Sequence, residues 1–179
     1  MKPPVRGRTE PPTGLLRRVE AVMRGAFPTV VTLVLMIAGA VPVGAPGLIM
    51  ALCLPCVFFW TVFRPAAMPP PAVFGIGIAA DLLANAPFAS GVLVLLVAHG
   101  VALRSRGFIA RQGFGTVWVI YCGVATGAAA LAWALTGLLH WQLPPTTPGL
   151  HQAAISVGLY PALAWVLSRA HRGMEESVA

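Results

Sequence analysis

Residues 74–91 read FGIGIAADLLANAPFASG, a run of apolar and small residues that contains one carboxylate, Asp81. Asp81 is the only acidic residue within the range 26–168. The run changes character at Asn85, which tolerates the left-handed conformation that ends many helices, and at Pro87, which cannot continue a helix. The stretch therefore predicts two antiparallel helices joined by a tight turn, with Asp81 in the last turn of the first helix.

The composition of the whole chain indicates a membrane protein. Of its 179 residues, 58% are hydrophobic and 9% are charged, and the mean hydropathy is +0.82. A soluble globular domain carries about 25% charged residues. Backbone polar groups in lipid must be satisfied within the protein, and the sequence lacks the two-residue alternation of a membrane β-barrel. The chain is therefore expected to be an all-α integral membrane protein with a compact bundle of helices.

Six membrane spans are predicted, each near the roughly 20 residues that cross a bilayer as a helix. Short connections rich in Pro and Gly separate them, as expected where helices end and the chain turns. The predicted spans are about 27–44, 46–63, 70–85, 88–103, 114–140 and 150–168.

The basic residues separate onto one side of this arrangement. All 12 Lys and Arg residues precede the first span, follow the sixth, or lie between spans two and three or four and five. Loops rich in Lys and Arg face the cytoplasm. The pattern predicts both termini in the cytoplasm, which requires an even number of spans. The net charge of +7 therefore reflects membrane topology, and no nucleic-acid partner is expected.

The chain is expected to have three parts. They are a basic cytoplasmic N-terminal segment at 1–25, a six-span membrane domain at 26–168 and a cytoplasmic tail at 169–179. Residues 15–25 suit an amphipathic helix lying in the membrane interface, and a disordered basic tail is the alternative. For the first span, a signal peptide cleaved after Ala38-Gly39-Ala40 is a second alternative, although the preceding basic region is long for one.

No arrangement of side chains in the sequence indicates catalysis. Cys53 and Cys56 form a Cys-x-x-Cys motif inside the second predicted span, where packing is expected, and Cys122 supplies no second pair. A thiol or quinone oxidoreductase built on the pair is a further alternative. Paired carboxylates, catalytic triads, phosphate loops and metal-ligand clusters are absent from the sequence. We therefore expect no enzyme activity, no catalytic residue, no cofactor and no metal.

Three of the four histidines and most tryptophans are expected near span ends, whereas His171 belongs to the basic tail. Haem ligation between spans would want two facing histidines at similar depth, which these positions do not provide. The histidines are His99, His140, His151 and His171. Amphipathic indole rings anchor helices at the headgroup level. The tryptophans assigned to this role are Trp60, Trp118, Trp141 and Trp165.

Asp81 is the polar residue that most needs a partner. Its neighbours on the same helical face are small or polar, as where helices pack in lipid. At a helix C-terminus a carboxylate meets the unfavourable end of the dipole, and the predicted topology puts every Lys and Arg on the other side. Three arrangements remain open. Asp81 is protonated, accepts hydrogen bonds from the free amides of residues 88–91 or from Ser90 at the start of the fourth span, or meets a cation from another protein.

The same stretch resembles the rod shape-determining protein MreD family. The similar segments are residues 77–83 (GIAADLL), the turn at 84–89 (ANAPFA) and residues 159–163 (LYPAL) with the basic tail after them. The positions that carry the resemblance are Gly77, Asp81, Asn85, Pro87, Tyr160 and Pro161. Asn85 and Ala89 stand where the family often has Gly.

The resemblance implies a multi-pass protein of the bacterial inner membrane, without catalytic activity, in the cell-elongation machinery. Besides membrane lipid, its expected partner is the bitopic protein MreC. Through MreC it would connect the MreB filament with peptidoglycan synthases. The implied fold is similar to the six-helix substrate-binding subunits of energy-coupling-factor vitamin transporters. A small-molecule transporter subunit is therefore the alternative function.

Overall fold

The structure, a computed structural model, describes residues 15–40, 47–85, 89–141 and 144–176, with the backbone alone described at 15–24 and 170–176. The described ranges form six α-helices and one short 3-10 turn, and they contain no strand. The helices are α1 (Leu15–Ala40), α2 (Leu48–Phe63), α3 (Pro70–Ala84), α4 (Ser90–Ile109), α5 (Phe114–His140) and α6 (Thr147–Glu176). The all-α prediction is confirmed.

Three helices are long and apolar enough to cross a membrane. They are α4, α5 and the part of α6 from Thr147 to Arg169. The apolar part of α1 (Gly25–Ala40), α2 and α3 are shorter, at 15 or 16 residues each. Membrane-like helices are thus present, and three of them have the full length that a bilayer requires.

Three helices, α1, α4 and α6, extend beyond the predicted spans. α1 begins at Leu15 and runs without a break to Ala40, so residues 15–25 continue directly into the apolar segment as one helix. α4 continues past the predicted end at residue 103 as far as Ile109. The second extension places His99 near the middle of its helix.

The central helix of the bundle is α2, which contacts each of the other five helices. It is hydrophobic on all sides, which is typical of a helix enclosed by others. Its largest buried side chain, Trp60, is 0% exposed and meets the rings of Phe27 and Phe59 edge-on. The interfacial position predicted for Trp60 is therefore wrong, because protein and not lipid surrounds its ring. Trp118, Trp141 and Trp165 are exposed.

Candidate functional site

The carboxylate of Asp81 joins the end of α3 to the start of α4. Its Oδ1 accepts a hydrogen bond from the backbone N–H of Gly91 at 2.8 Å, and its Oδ2 accepts one from Val92 at 3.3 Å. Gly91 and Val92 are the second and third residues of α4, whose first amides have no partner within their own helix. Asp81 is 5% exposed. It therefore acts as an N-terminal cap supplied by the neighbouring helix.

Electrostatics favour this cap over an isolated carboxylate. The start of α4 carries the positive end of its helix dipole, and this offsets the negative end of α3 on which Asp81 sits. Hydrogen bonds to an ionised acceptor are roughly twice as strong as those between neutral groups. Of the three arrangements considered for Asp81, the structure contains the second. The sequence predicted hydrogen bonds from the amides up to Gly91 but not from Val92. Whether Val92 lies in the first turn depends on the residue at which α4 begins.

Two glycines allow the close approach that the cap needs. A Cβ atom built on Gly77 would lie 2.6 Å from the Cα of Val92. One built on Gly91 would collide with Oδ1 of Asp81. Gly77 and Asp81 are four residues apart and so share a face of α3. By contrast, a Cβ on Gly75 would meet nothing within 4 Å.

The turn between α3 and α4 is bounded by two residues in the left-handed region. Asn85 has φ 47° and donates its backbone N–H to the carbonyl oxygen of Asp81, which closes α3. Ala89 has φ 70° and precedes α4. A left-handed conformation costs an L-residue roughly 1–2 kcal/mol, and Asn tolerates it better than Ala. Pro87 lies outside the described residues.

A polar-edged cavity of about 240 Å³ adjoins the cap. It is lined by residues from all helices except α1, and its polar side chains include Asp81, Thr136 and Gln152. The Thr136 hydroxyl already donates to the carbonyl of Ala132 at 2.8 Å. Both Asp81 oxygens accept amides and keep further acceptor capacity. The cavity therefore offers a small ligand hydrogen-bond acceptors, including the Asp81 carboxylate, and the side-chain amide of Gln152.

Tyr160 belongs to a second cluster, formed by aromatic rings between α2, α5 and α6. The ring of Tyr160 stacks on that of Tyr121 with centroids 4.2 Å apart, and Phe58 packs against both. The Tyr121 hydroxyl hydrogen-bonds Ser156. The Tyr160 hydroxyl is buried and has no hydrogen-bond partner among the described residues.

Pro161 leaves one backbone carbonyl inside α6 without its usual helical donor. Proline has no N–H, so the carbonyl four residues earlier, at Val157, loses its usual helical donor. The indole nitrogen of Trp118 in α5 donates to that carbonyl at 3.2 Å. The proline thus creates a hydrogen bond between two helices. The sequence could not identify Trp118 as the partner, because only the packing of α5 on α6 brings it to this position.

Cys53 and Cys56 are free thiols with 0% exposure in the middle of α2, and they face the packed core. Cys122, on α5, is also free. The described residues contain no group of three or more His, Cys, Asp or Glu side chains that could hold a metal ion. Burial of this kind favours packing over thiol chemistry, since a reactive cysteine needs access and a stabilised thiolate.

His99 is a buried residue, so the interfacial role predicted for it is wrong. It is 4% exposed, and its Nδ1 lies 2.8 Å from the hydroxyl oxygen of Thr61. Thr61 donates its one hydroxyl proton to the carbonyl of Val57 at 2.6 Å. The Thr61 oxygen must then accept from Nδ1–H of His99. The pair ties the middle of α4 to the last turn of α2.

Comparison with known proteins adds no identification. No family model, curated protein or solved structure matches the chain. The main feature of the candidate site is the glycine-lined hairpin of α3 and α4 with its cross-helix cap.

Proposed function

We propose that the chain is a non-enzymatic, six-span component of the bacterial cell-elongation complex, similar to the MreD family. In this proposal it lies in the inner membrane with both termini in the cytoplasm. It binds an MreC-type bitopic protein and helps couple the MreB filament to peptidoglycan synthesis.

The proposal is supported above all by the way the residues of the resemblance work together. Gly77, Asp81 and Asn85 form one unit, in which the glycine permits contact, the carboxylate caps α4 and the asparagine ends α3. Asn85 and Ala89, which stand where the family often has Gly, both have positive φ. A backbone that needs positive φ at these two positions explains a preference for Gly there.

The depletion of this chain from its rod-shaped host tests the proposal. Cells should become round, and the wild-type chain supplied in trans should restore rods. Gly77→Ala should restore them poorly, while Gly75→Ala, two residues away on an open face, should restore them fully. Rods that persist after complete depletion would exclude a role in elongation.

The partner is tested separately by affinity purification from native membranes with a mild detergent. An MreC-type protein should be recovered with the wild-type chain and with Gly75→Ala in similar yield. Recovery of membrane proteins unrelated to elongation, without an MreC-type protein, would argue against the proposed partner.

A second candidate function is the small-molecule-binding subunit of an energy-coupling-factor-type transporter. The observation that favours it is the cavity of about 240 Å³ beside Asp81. A ligand that binds the folded state raises its melting temperature. A vitamin that stabilises the wild-type chain, and not a variant with Thr136→Leu in the cavity wall, would favour this function. A screen without any stabilising compound would count against it.

A further inference from the structure

A second, larger cavity lies at the end of the bundle opposite Asp81. It has a volume of about 460 Å³, within the roughly 300–1,000 Å³ typical of ligand pockets. Its walls come from the C-terminal end of α2, the middle of α6 and the start of α5, and they are mostly aromatic and aliphatic. Phe63, Phe114 and Trp165 are among the lining residues, and each is exposed. The cavity is therefore an apolar groove that opens to the outside of the bundle.

One buried polar group in the groove wall has no partner. Tyr160 lines the groove and is 1% exposed, and its hydroxyl makes no hydrogen bond with any described residue. A buried donor without an acceptor costs about 1–3 kcal/mol. The oxygen of a bound molecule would satisfy it. An acyl chain alone would not, because it has no acceptor.

Positive charge stands beside the groove. Arg111 adjoins the lining residue Gln112 in sequence, and Arg169 adjoins Ser168. The guanidinium carbon of Arg169 lies 4.7 Å from the ring centroid of Trp165, which keeps this cation over the groove wall. Both arginines are exposed. None of the lining residues is acidic. An apolar groove with cations at its edge is complementary to a lipid that has acyl chains and a phosphate headgroup.

We propose that this groove binds one anionic phospholipid. An acyl chain lies along Phe63, Phe114 and Trp165, and the headgroup phosphate contacts Arg111 and Arg169. The Tyr160 hydroxyl donates to an ester carbonyl oxygen of the lipid. Basic pockets between helices at a membrane surface bind anionic headgroups in this way. The site requires a membrane setting and is independent of any role in cell elongation.

Native mass spectrometry of the purified full chain tests the proposal, with phosphatidylglycerol and phosphatidylcholine of identical chains as probes. The wild-type chain should retain one phosphatidylglycerol in preference to phosphatidylcholine. The double variant Arg111→Gln/Arg169→Gln should bind it at least tenfold more weakly, since a basic residue near the surface contributes on the order of fivefold. The control, Arg104→Gln/Arg106→Gln, removes two exposed arginines that adjoin no lining residue and should change affinity less than twofold.

Two further measurements distinguish binding in the groove from general charge attraction. Tyr160→Phe should lower phosphatidylglycerol affinity twofold or more and leave the fold intact, as checked by circular dichroism. Glycerol phosphate, which has the charge without the chains, should not compete. Equal retention of the two lipids by the wild-type chain, an equal effect of the two double variants, or effective competition by glycerol phosphate would overturn the proposal.

Discussion

The contact between α3 and α4 makes a sharp prediction about two glycines of the same helix. Gly75 and Gly77 both lie inside α3, two residues apart. An added methyl on Gly75 meets nothing within 4 Å, whereas on Gly77 it lies 2.6 Å from the Cα of Val92. Replacement of either glycine by Ala raises helix propensity by the same amount, at most about 1 kcal/mol. The difference between the two variants therefore isolates the interhelical contact.

The expected size of that difference follows from the geometry. Carbon atoms pack at about 3.5–4.0 Å, so Gly77→Ala must move α3 and α4 apart by roughly 1 Å. The same shift would stretch the 2.8 Å hydrogen bond between Asp81 and the amide of Gly91 beyond useful length. Overpacking costs about 1–3 kcal/mol and a hydrogen bond to a charged group about 1.5–3 kcal/mol. Together these two terms should make Gly77→Ala about 2.5–6 kcal/mol less stable than Gly75→Ala.

Equilibrium unfolding of the purified chain in detergent, driven by increasing dodecyl sulfate, measures this difference. Tryptophan fluorescence and circular dichroism should report the same transition for each variant. If Gly77→Ala yields no folded protein while Gly75→Ala does, the direction of the prediction holds. Equal stability of the two variants, within about 0.5 kcal/mol, would refute the close contact and with it the cap geometry.

Five other substitutions test the remaining features by the same unfolding assay. Asp81→Ala should destabilise by about 1–3 kcal/mol, because two amides of α4 lose their acceptor; an unchanged midpoint would contradict the cap. Ala89→Gly should stabilise by roughly 1 kcal/mol by relieving the left-handed conformation, and a loss of stability would show that φ there is not positive. Tyr121→Phe should cost about 0.6 kcal/mol through the lost bond to Ser156. Tyr160→Phe, in protein stripped of lipid, should instead stabilise by about 1 kcal/mol or more, because it removes a buried hydroxyl without a partner among the described residues; the reverse order would mean the hydroxyl partners are misassigned. Trp118→Phe should destabilise by about 1 kcal/mol or more, through the lost indole donor and ring area, and a neutral result would remove the bond to α6.

Much of the helical architecture was predictable because its causes are local. The predicted spans correspond to helices since apolar runs and proline-rich connections act over neighbouring residues. Asn85 marked the end of α3 for a similar reason, as its tolerance of positive φ is a property of its own side chain. The position of Asp81 in the last turn of its helix needed only the periodicity of that helix and this end.

Contacts between helices were less predictable, because they depend on which faces meet. Trp60 lies at the end of α2, where an indole ring often anchors a span at the membrane surface. Because the other helices surround α2, the ring is buried. The sequence predicts His99 near a span end, whereas α4 continues to Ile109 and His99 lies near the middle of the helix. The donor to the Val157 carbonyl was likewise not predictable from the sequence, because only the packing of α5 on α6 brings Trp118 to it.

The sequence by itself determined that the chain is helical and strongly apolar, that its cations cluster in a few segments, and that one carboxylate stands alone at a helix end. These properties follow from residue types and their spacing along the chain. Only the tertiary structure decided which groups donate hydrogen bonds to the carboxylate. Gly77 lets α4 approach until its first amides reach Asp81, and such a contact depends on distances of a few tenths of an ångström between separate helices.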